Sequence, residues 1–434
     1  MIWIYRLLFP LLFLVSLPYY LMRMWRRGGY REMMASRFGG VELVPKGAGK
    51  RRIWIQAVSV GELLAIESLV RQLAAMPDVE LVITTTTSTG YRLAKEKYGE
   101  SAILISSFPF DFWPIVRKTW GRIQPDLAII TEGELWPEHI RTARDKGIPL
   151  ILINARLSDR SYRRMNKFRV LQSLFYKHIA HIAASSELDA QRILSLGYPE
   201  EKLSVAGNLK FDVVDPEGMD TDERMQLFEE TGFSQSVGSK IVIGASTWPG
   251  EEELLIRACV DLLTQGLQVR LLLVPRHAER RGEIHEVLEK QANITWRFRS
   301  QPEWIRTSET EGALQVYIAD TTGELRKFIQ LADLAVIGKS FPPHLEGQTP
   351  VEAVALGTPV IYGPSMTNFR AICADLEQSG GAIRIREIDQ LTPTLGRLLR
   401  DSDECARLKQ AAREVFEHSR GSTERTIALI KSYF

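Results

Sequence analysis

Two series of apolar strand and amphipathic helix, separated by a turn-rich break, constrain this chain more than any other feature. In the first series, residues 52–59, 80–85, 102–106, 127–131, 150–154 and 179–184 read as buried strands with helical segments between them. A stretch over 213–218, carrying Pro216 and Gly218, interrupts the pattern. Strands then recur at 240–244, 269–274, 316–318, 334–337, 359–362 and 382–385, and residues 407–434 close the chain with helical periodicity. Short connections that alternate strand with helix specify a parallel sheet covered on both faces. A chain of 434 residues is also too long for one core. The expected fold is therefore α/β, with two doubly wound, Rossmann-like parallel sheets and ligands in a crevice between them. The expected divisions are an apolar helix over 1–27, a first domain over 28–212, a linker with a leading helix over 213–239, and a second domain over 240–434 that includes the closing helix.

Composition excludes more than it suggests. The net charge of +2 gives no overall field for nucleic acid. The three cysteines, Cys259, Cys373 and Cys405, are scattered and odd in number, so they form neither a disulfide frame nor a zinc pattern. His178 and His181 have helix-face spacing and no companion ligand. Neither half carries a G-x-G-x-x-G or P-loop signature, which removes support for a dinucleotide or NTP reading.

The first residues form a separate problem. Residues 7–22 carry no charge, and with Ile2 to Tyr5 they approach the length of a membrane span, interrupted by Arg6, Pro10 and Pro18. Positive charge follows the run, at Arg23, Arg26, Arg27 and Arg31, and no small-residue cleavage site appears, so a signal peptide does not fit. The order reads as an uncleaved anchor, with the body of the protein on the cytoplasmic side and the arginines facing anionic lipid. A helix docked on the domain, or lying flat in one leaflet, is the other reading. Arg156, Arg160, Arg163, Arg164, Lys167 and Arg169 make a second basic cluster.

Strand ends carry the candidate chemistry, because open α/β sheets bind ligands at the carboxyl ends of their strands. In the first half, Ser59-Val60-Gly61-Glu62 places a carboxylate at a helix start. The macrodipole there favours the ionised form, which suits a base, although Glu is also common at ordinary helix starts. Thr84 to Thr87 add hydroxyls, and Glu132, Glu134 and Arg156 follow two further strands. In the second half, Ser246 and Thr247 lead into a helix whose N-terminus suits a phosphate. Arg276 and His277 end the next strand and suit an anion. Gly338, Ser340, Thr349 and Glu352 border another loop-to-helix turn, where Glu352 suits either a ribose diol or plain dipole matching.

At these residues the chain resembles the transferases of 3-deoxy-D-manno-oct-2-ulosonic acid (Kdo). The resemblance rests on Arg37-Phe38-Gly39, Ala57 to Glu62, Thr84 to Gly90, Glu132-Gly133-Glu134-Leu135-Trp136-Pro137 and Asn154 to Ser158. It continues through Gly207-Asn208-Leu209-Lys210-Phe211-Asp212, Pro275-Arg276-His277 and Leu356 to Val360. It implies a GT-B glycosyltransferase fold, CMP-Kdo as donor, a lipid A precursor as acceptor and no obligatory metal. Glu62 would match the catalytic base, with Ser59, Gly61, Thr86, Thr87, Glu132, Glu134 and Arg156 on the acceptor side. Lys210, Ser246, Thr247, Arg276, His277, Gly338, Ser340, Thr349, Glu352 and Asn368 would meet the donor. The chain departs from the pattern at Glu346-Gly347-Gln348-Thr349, where the family usually has Gly-Gly-His-Asn, and at Gln56, where a His is usual. The expected location is the cytoplasmic face of the inner membrane. A nucleotide-sugar epimerase of the same fold and a non-catalytic membrane scaffold are the competing readings.

Overall fold

A computed structural model describes residues 2–27, 31–167, 175–214, 217–233, 239–307, 312–344 and 346–434. The side chains of Arg23, Arg26, Arg27 and Arg31, and the whole of Pro216 and Arg169, lie outside the described set. The chain divides into two compact units, one of Met1–Val213 with Ser419–Phe434 and one of Val214–His418.

The first unit holds seven parallel strands: β1 (Arg51–Gln56), β2 (Val79–Thr85), β3 (Leu104–Ser107), β4 (Leu127–Thr131), β5 (Leu150–Ala155), β6 (His181–Ala184) and β7 (Leu203–Val205). Their order is β3-β2-β1-β4-β5-β6-β7. Alternate residues feed two cores. Ile53, Ile55, Leu81, Ile83, Ile129 and Ile151 face one side, and Trp54, Val82, Ala128, Ile130 and Leu152 face the other. A sheet buried on both faces needs such continuously apolar strands, which is why these runs were legible.

The second unit holds β8 (Lys240–Thr247), β9 (Val269–Pro275), β10 (Ile294–Phe298), β11 (Ile305–Arg306), β12 (Leu314–Ile318), β13 (Leu334–Ile337), β14 (Val360–Tyr362) and β15 (Ala382–Arg384). The order is β11-β10-β12-β9-β8-β13-β14-β15. Only the pairing of β10 with β11 is antiparallel among the described strands. Strands β7, β10 and β11 were not expected. β10 alternates buried and half-buried residues, Ile294, Trp296 and Phe298 inward, and lacks the unbroken apolar run of its neighbours.

The last sixteen residues do not close the second unit as the sequence suggested. Helix Ser422–Lys431 sends Ile427 and Ile430 into the core beneath β1. Asp212 accepts from the backbone N–H of Gly421 (2.9 Å) and Thr423 (2.6 Å), capping that helix. Arg425 Nε donates to the Ala206 carbonyl at 2.8 Å. Gly207, at φ +86°, has Arg425, Ser419 and Ser422 crowded about the place where a β-carbon would stand, which leaves no room for a side chain. Two ends of the Gly207–Asp212 motif are thus a clasp for the C-terminal segment.

The N-terminal helix, Ile2–Arg27, contains Pro10 and Pro18. One face docks on the first unit. Tyr5 Oη donates to Asp111 at 2.7 Å, and Arg6 makes a two-pronged pair with the buried Glu138 (2.6 and 2.9 Å). Phe9 and Phe13 pack on Phe112 and Phe110. Burial pushes the Asp111 carboxyl up to about 7, against the donors Glu138 N–H and Tyr5 O–H. The other face leaves Trp3, Leu7, Leu12 and Val15 between 66% and 81% exposed. Among the described residues no helix is long and apolar enough to cross a membrane. The spanning form of the anchor is therefore not carried by the structure: Arg6 is fixed to the domain by Glu138, and the apolar surface is one face of a docked helix.

Candidate active site

Each sheet has a point where the strand order reverses, between β1 and β4 in the first unit and between β8 and β13 in the second. Ligands of open α/β sheets bind outside the strand ends at such points. Backbone strain marks the same places. Six described non-glycine residues have positive φ. Four of them follow or end adjacent strands: Glu132 (57°) and Asn154 (50°) in one sheet, Ser246 (60°) and Lys339 (59°) in the other. Each such residue costs about 1–3 kcal/mol and persists where the surroundings over-determine it.

Glu62 sits at the first reversal, in the opening turn of helix Val60–Ala65. Ser59 caps that helix and its hydroxyl donates to Glu62 Oε1 at 3.1 Å. Glu62 Oε2 accepts from Val58 N (2.8 Å) and from Thr131 Oγ1 (2.6 Å). The last bond ties the opening turn of that helix to the end of β4. Glu62 is 8% exposed. Burial, reinforced by the charge of Glu132, pushes its carboxyl up to about 7, against the three hydrogen bonds from Thr131, Val58 and Ser59. The helix start was expected to favour the ionised acid; desolvation outweighs that effect and leaves a carboxyl poised near neutrality.

Glu132 behaves oppositely. Burial acts to raise it, but Lys210 and Arg156 outweigh burial and hold it below the usual carboxylate range. Lys210 Nζ lies 2.8 Å and Arg156 Nη1 3.8 Å from Glu132 Oε1. Lys210, assigned to the donor side from the resemblance, is therefore placed in the first unit on Glu132. Two neighbouring carboxylates with proton affinities pushed apart are the usual sign of an acid–base site. Glu134 is raised by burial, with Trp136 Nε1 donating to it at 3.3 Å.

The threonine run divides by role. Thr84 and Thr85 are buried and bonded inside the fold, to Gln56 and to the Val58 carbonyl. Thr87 caps the next helix by accepting from Gly90 N at 3.1 Å. Thr86 is half-buried and accepts from Gln56 Nε2 at 3.1 Å, so Gln56 links two threonines. Gly61 has its nearest neighbour, Ser59 Oγ, at 3.9 Å from where a Cβ would stand, which leaves open space beside Glu62. Two residues to which the sequence assigned no role of their own act here. Thr131 orients Glu62, and the buried Arg37 donates to the Thr86 carbonyl. A hydroxyl at the end of an apolar strand was the available signal for the first.

In the second unit, Glu251 fills the amide cradle that was expected to hold phosphate. Its carboxylate accepts from Trp248 N (2.9 Å), Lys339 N (2.8 Å), Ser340 N (2.9 Å) and Phe341 N (3.2 Å). Thr247 and Ser340 are fully buried, and their hydroxyls donate to Glu252 and to the Ile337 carbonyl. At Gly338 a Cβ would collide with the Ser246 carbonyl, so this position is closed to side chains. Arg276 follows β9, with its N–H on the Thr247 carbonyl at 3.1 Å. His277 packs edge-on to Trp248 with ring centres 5.3 Å apart. Burial raises Glu352, and the charges of Arg326 and Arg276 oppose it. Thr349 Oγ1 accepts from Val351 N at 3.3 Å, and Asn368 is exposed.

Two doubly wound parallel sheets, each with one reversal of strand order, are the frame of the GT-B type, which transferases share with nucleotide-sugar epimerases. Comparison with known proteins narrows this. Residues 32–213 match the profile of the 3-deoxy-D-manno-octulosonic-acid transferase (kdotransferase) family. A 3-deoxy-D-manno-octulosonic acid transferase of Haemophilus influenzae is 33% identical over 411 residues, covering 93% of this chain and 92% of the relative. That of Chlamydia pneumoniae is 27% identical over 97% of this chain and 94% of its own. The chain belongs to the 3-deoxy-D-manno-octulosonic acid transferase family and is a glycosyltransferase. Among solved structures, a UDP-N-acetylglucosamine 2-epimerase of Listeria monocytogenes aligns with TM-score 0.56 at 13% identity, over 89% of this chain and 97% of that one. The UDP-GlcNAc 2-epimerase of Neisseria meningitidis gives 0.53 at 13%, over 88% and 100%. At such identity these likenesses describe the fold alone.

Activity is expected to depend on Glu62 in its ionised form. It therefore falls as pH drops through about 7, with log(kcat/KM) losing one unit per pH unit below that point and levelling above it. A profile flat between pH 5 and 8 would exclude Glu62 as the titrating base.

Proposed function

We propose that this protein transfers Kdo from CMP-Kdo to the glucosamine disaccharide of a lipid A precursor, with inversion at the anomeric carbon. The observation that carries the reading is Glu62: a carboxylate oriented by three donors, poised near neutrality, with open space at Gly61. Glu62 would take the proton of the acceptor's primary hydroxyl as that oxygen bonds to the anomeric carbon. The bond from that carbon to the phosphate oxygen breaks, and CMP leaves with the electron pair. One displacement needs one base and inverts the centre, unlike the two-carboxylate route of retaining enzymes. The first unit would bind the acceptor and the second the donor. Arg276 and His277 suit the phosphate and Glu352 the ribose. Relatives named for Kdo transfer along nearly the full chain support this assignment.

The exposed apolar face of the N-terminal helix supports a place on the cytoplasmic surface of the inner membrane, with that face in the outer part of one leaflet. The basic residues from Arg156 to Lys167 would attract acceptor phosphates and anionic lipid.

The epimerase reading keeps its interest because solved epimerases share the fold. A thermal shift separates the two. CMP at a hundredfold excess over Kd stabilises the folded state by about 2.7 kcal/mol, so CMP should raise the melting temperature and UDP should not. Stabilisation by UDP alone, with turnover of a UDP-sugar in the absence of acceptor, would replace the transferase assignment.

A further inference from the structure

At the second sheet's reversal, Gly338-Lys339 leaves β13 beside Ser246 at the end of β8. Lys339 lies in the left-handed region at φ +59°, where glycine would sit without cost. Its backbone is fixed from both sides. Its N–H donates to Glu251, and its carbonyl accepts from Gly347 N at 2.7 Å. The side chain is 19% exposed and its Nζ rests 4.1 Å from the centre of the Trp248 ring. The nearest carboxylate oxygen, Glu346 Oε1, is 3.8 Å away, beyond hydrogen-bond reach. An ammonium offers three donors, and here none meets a hydrogen-bond acceptor among the described residues. Cation–π attraction to the indole and the longer-range pull of Glu346 hold the cation, and a charged oxygen at hydrogen-bond distance outcompetes both. His277 and His344 flank the same indole, each with ring centres 5.3 Å from it.

We propose that Lys339 is an anion-binding residue of the donor site, parked on Trp248 and drawn from it by an anionic oxygen of the sugar nucleotide. That oxygen belongs either to the phosphate or to the carboxylate of the sugar acid. The inference rests on the donor reading above. It also explains why a strained lysine stands where glycine would be easier: the position is held for its charge.

Lys339→Gly separates binding from folding, because glycine relieves the positive φ and the variant should melt at or above the wild-type temperature. Binding of cytidine, CMP and CMP-Kdo is then measured by calorimetry for wild type, Lys339→Gly and Lys339→Arg. Loss of one charge-assisted contact should weaken CMP by about tenfold in Lys339→Gly, leave cytidine unchanged, and flatten the salt dependence. Lys339→Arg should restore most of the affinity. A loss seen with CMP-Kdo and not with CMP assigns the contact to the sugar carboxylate. Equal affinities of wild type and Lys339→Gly for both anionic ligands would overturn the proposal and leave the donor reading intact. Failure of wild type to bind either one would overturn both.

Discussion

Replacing Glu62 by Gln is expected to abolish measurable transfer while leaving the fold and CMP binding as they are. Glutamine keeps the length of the side chain and an oxygen to accept from Thr131 and Val58, so the turn at Ser59 to Glu62 survives. It cannot accept a proton. Loss of a positioned base costs roughly 10²–10⁴ in rate. The variant also removes the acid whose ionisation is made unfavourable by burial and by Glu132, so it should melt no lower than wild type. The check is a single-turnover assay beside calorimetric CMP binding. Turnover like wild type would remove Glu62 from the mechanism. A variant that fails to bind CMP would instead point to a wider structural role. Replacing Thr131 by Val should have a smaller effect on rate. It should also shift the acid limb of the pH profile upward, because one hydrogen bond to the ionised form is lost.

The second large effect is on stability. Deleting residues 419–434 should unfold the first unit and spare the second. The segment buries Ile427 and Ile430 beneath β1, worth about 1.5–3 kcal/mol each. Its helix cap on Asp212 adds about 1 kcal/mol. Together these approach the 5–15 kcal/mol that holds a whole domain. Ile430→Ala alone should cost about 2–5 kcal/mol. Scanning calorimetry on the truncated chain should lose one transition and keep another. Two intact transitions would show that the segment is not part of the first unit's core.

How far the sequence reached depends on range. Strands β1, β2, β4, β5, β8, β9 and β13 were legible because each lies in the middle of a sheet and must be apolar on both faces. β7 and the two-residue β11 are edge strands, and β10, one place in from its edge, alternates buried with half-buried residues, so none of the three carries an unbroken apolar run. The site residues that precede a helix, Ser59 with Glu62 and Arg276 with His277, could be found because strand-to-helix turns are local. What could not be read was long-range. Nothing near Asp212 announces that its carboxylate caps a helix more than two hundred residues away. Nothing near Lys210 tells that its ammonium sits on Glu132. Nothing near Glu251 tells that it gathers the amides of two loops and fills the place expected to hold phosphate. The N-terminal run read as an anchor because hydropathy ignores partners; the charge of Arg6 is resolved by Glu138, which no window of sequence contains.

The fold leaves one choice that sequence similarity makes. Epimerases and transferases share the two-sheet frame, so the frame cannot choose between them. The relatives along 93% and 97% of the chain do, and the role proposed for Glu62 would give the choice a mechanism.

The measurement that tests this most directly is incubation of the full-length protein with a lipid A precursor and CMP-Kdo generated in situ, followed by mass analysis of the lipid. The account predicts a gain of one or more whole Kdo units with wild type and none with Glu62→Gln. An unchanged lipid from wild-type protein that CMP stabilises against heat would contradict it, and would mean that the donor sugar or the acceptor is a different one.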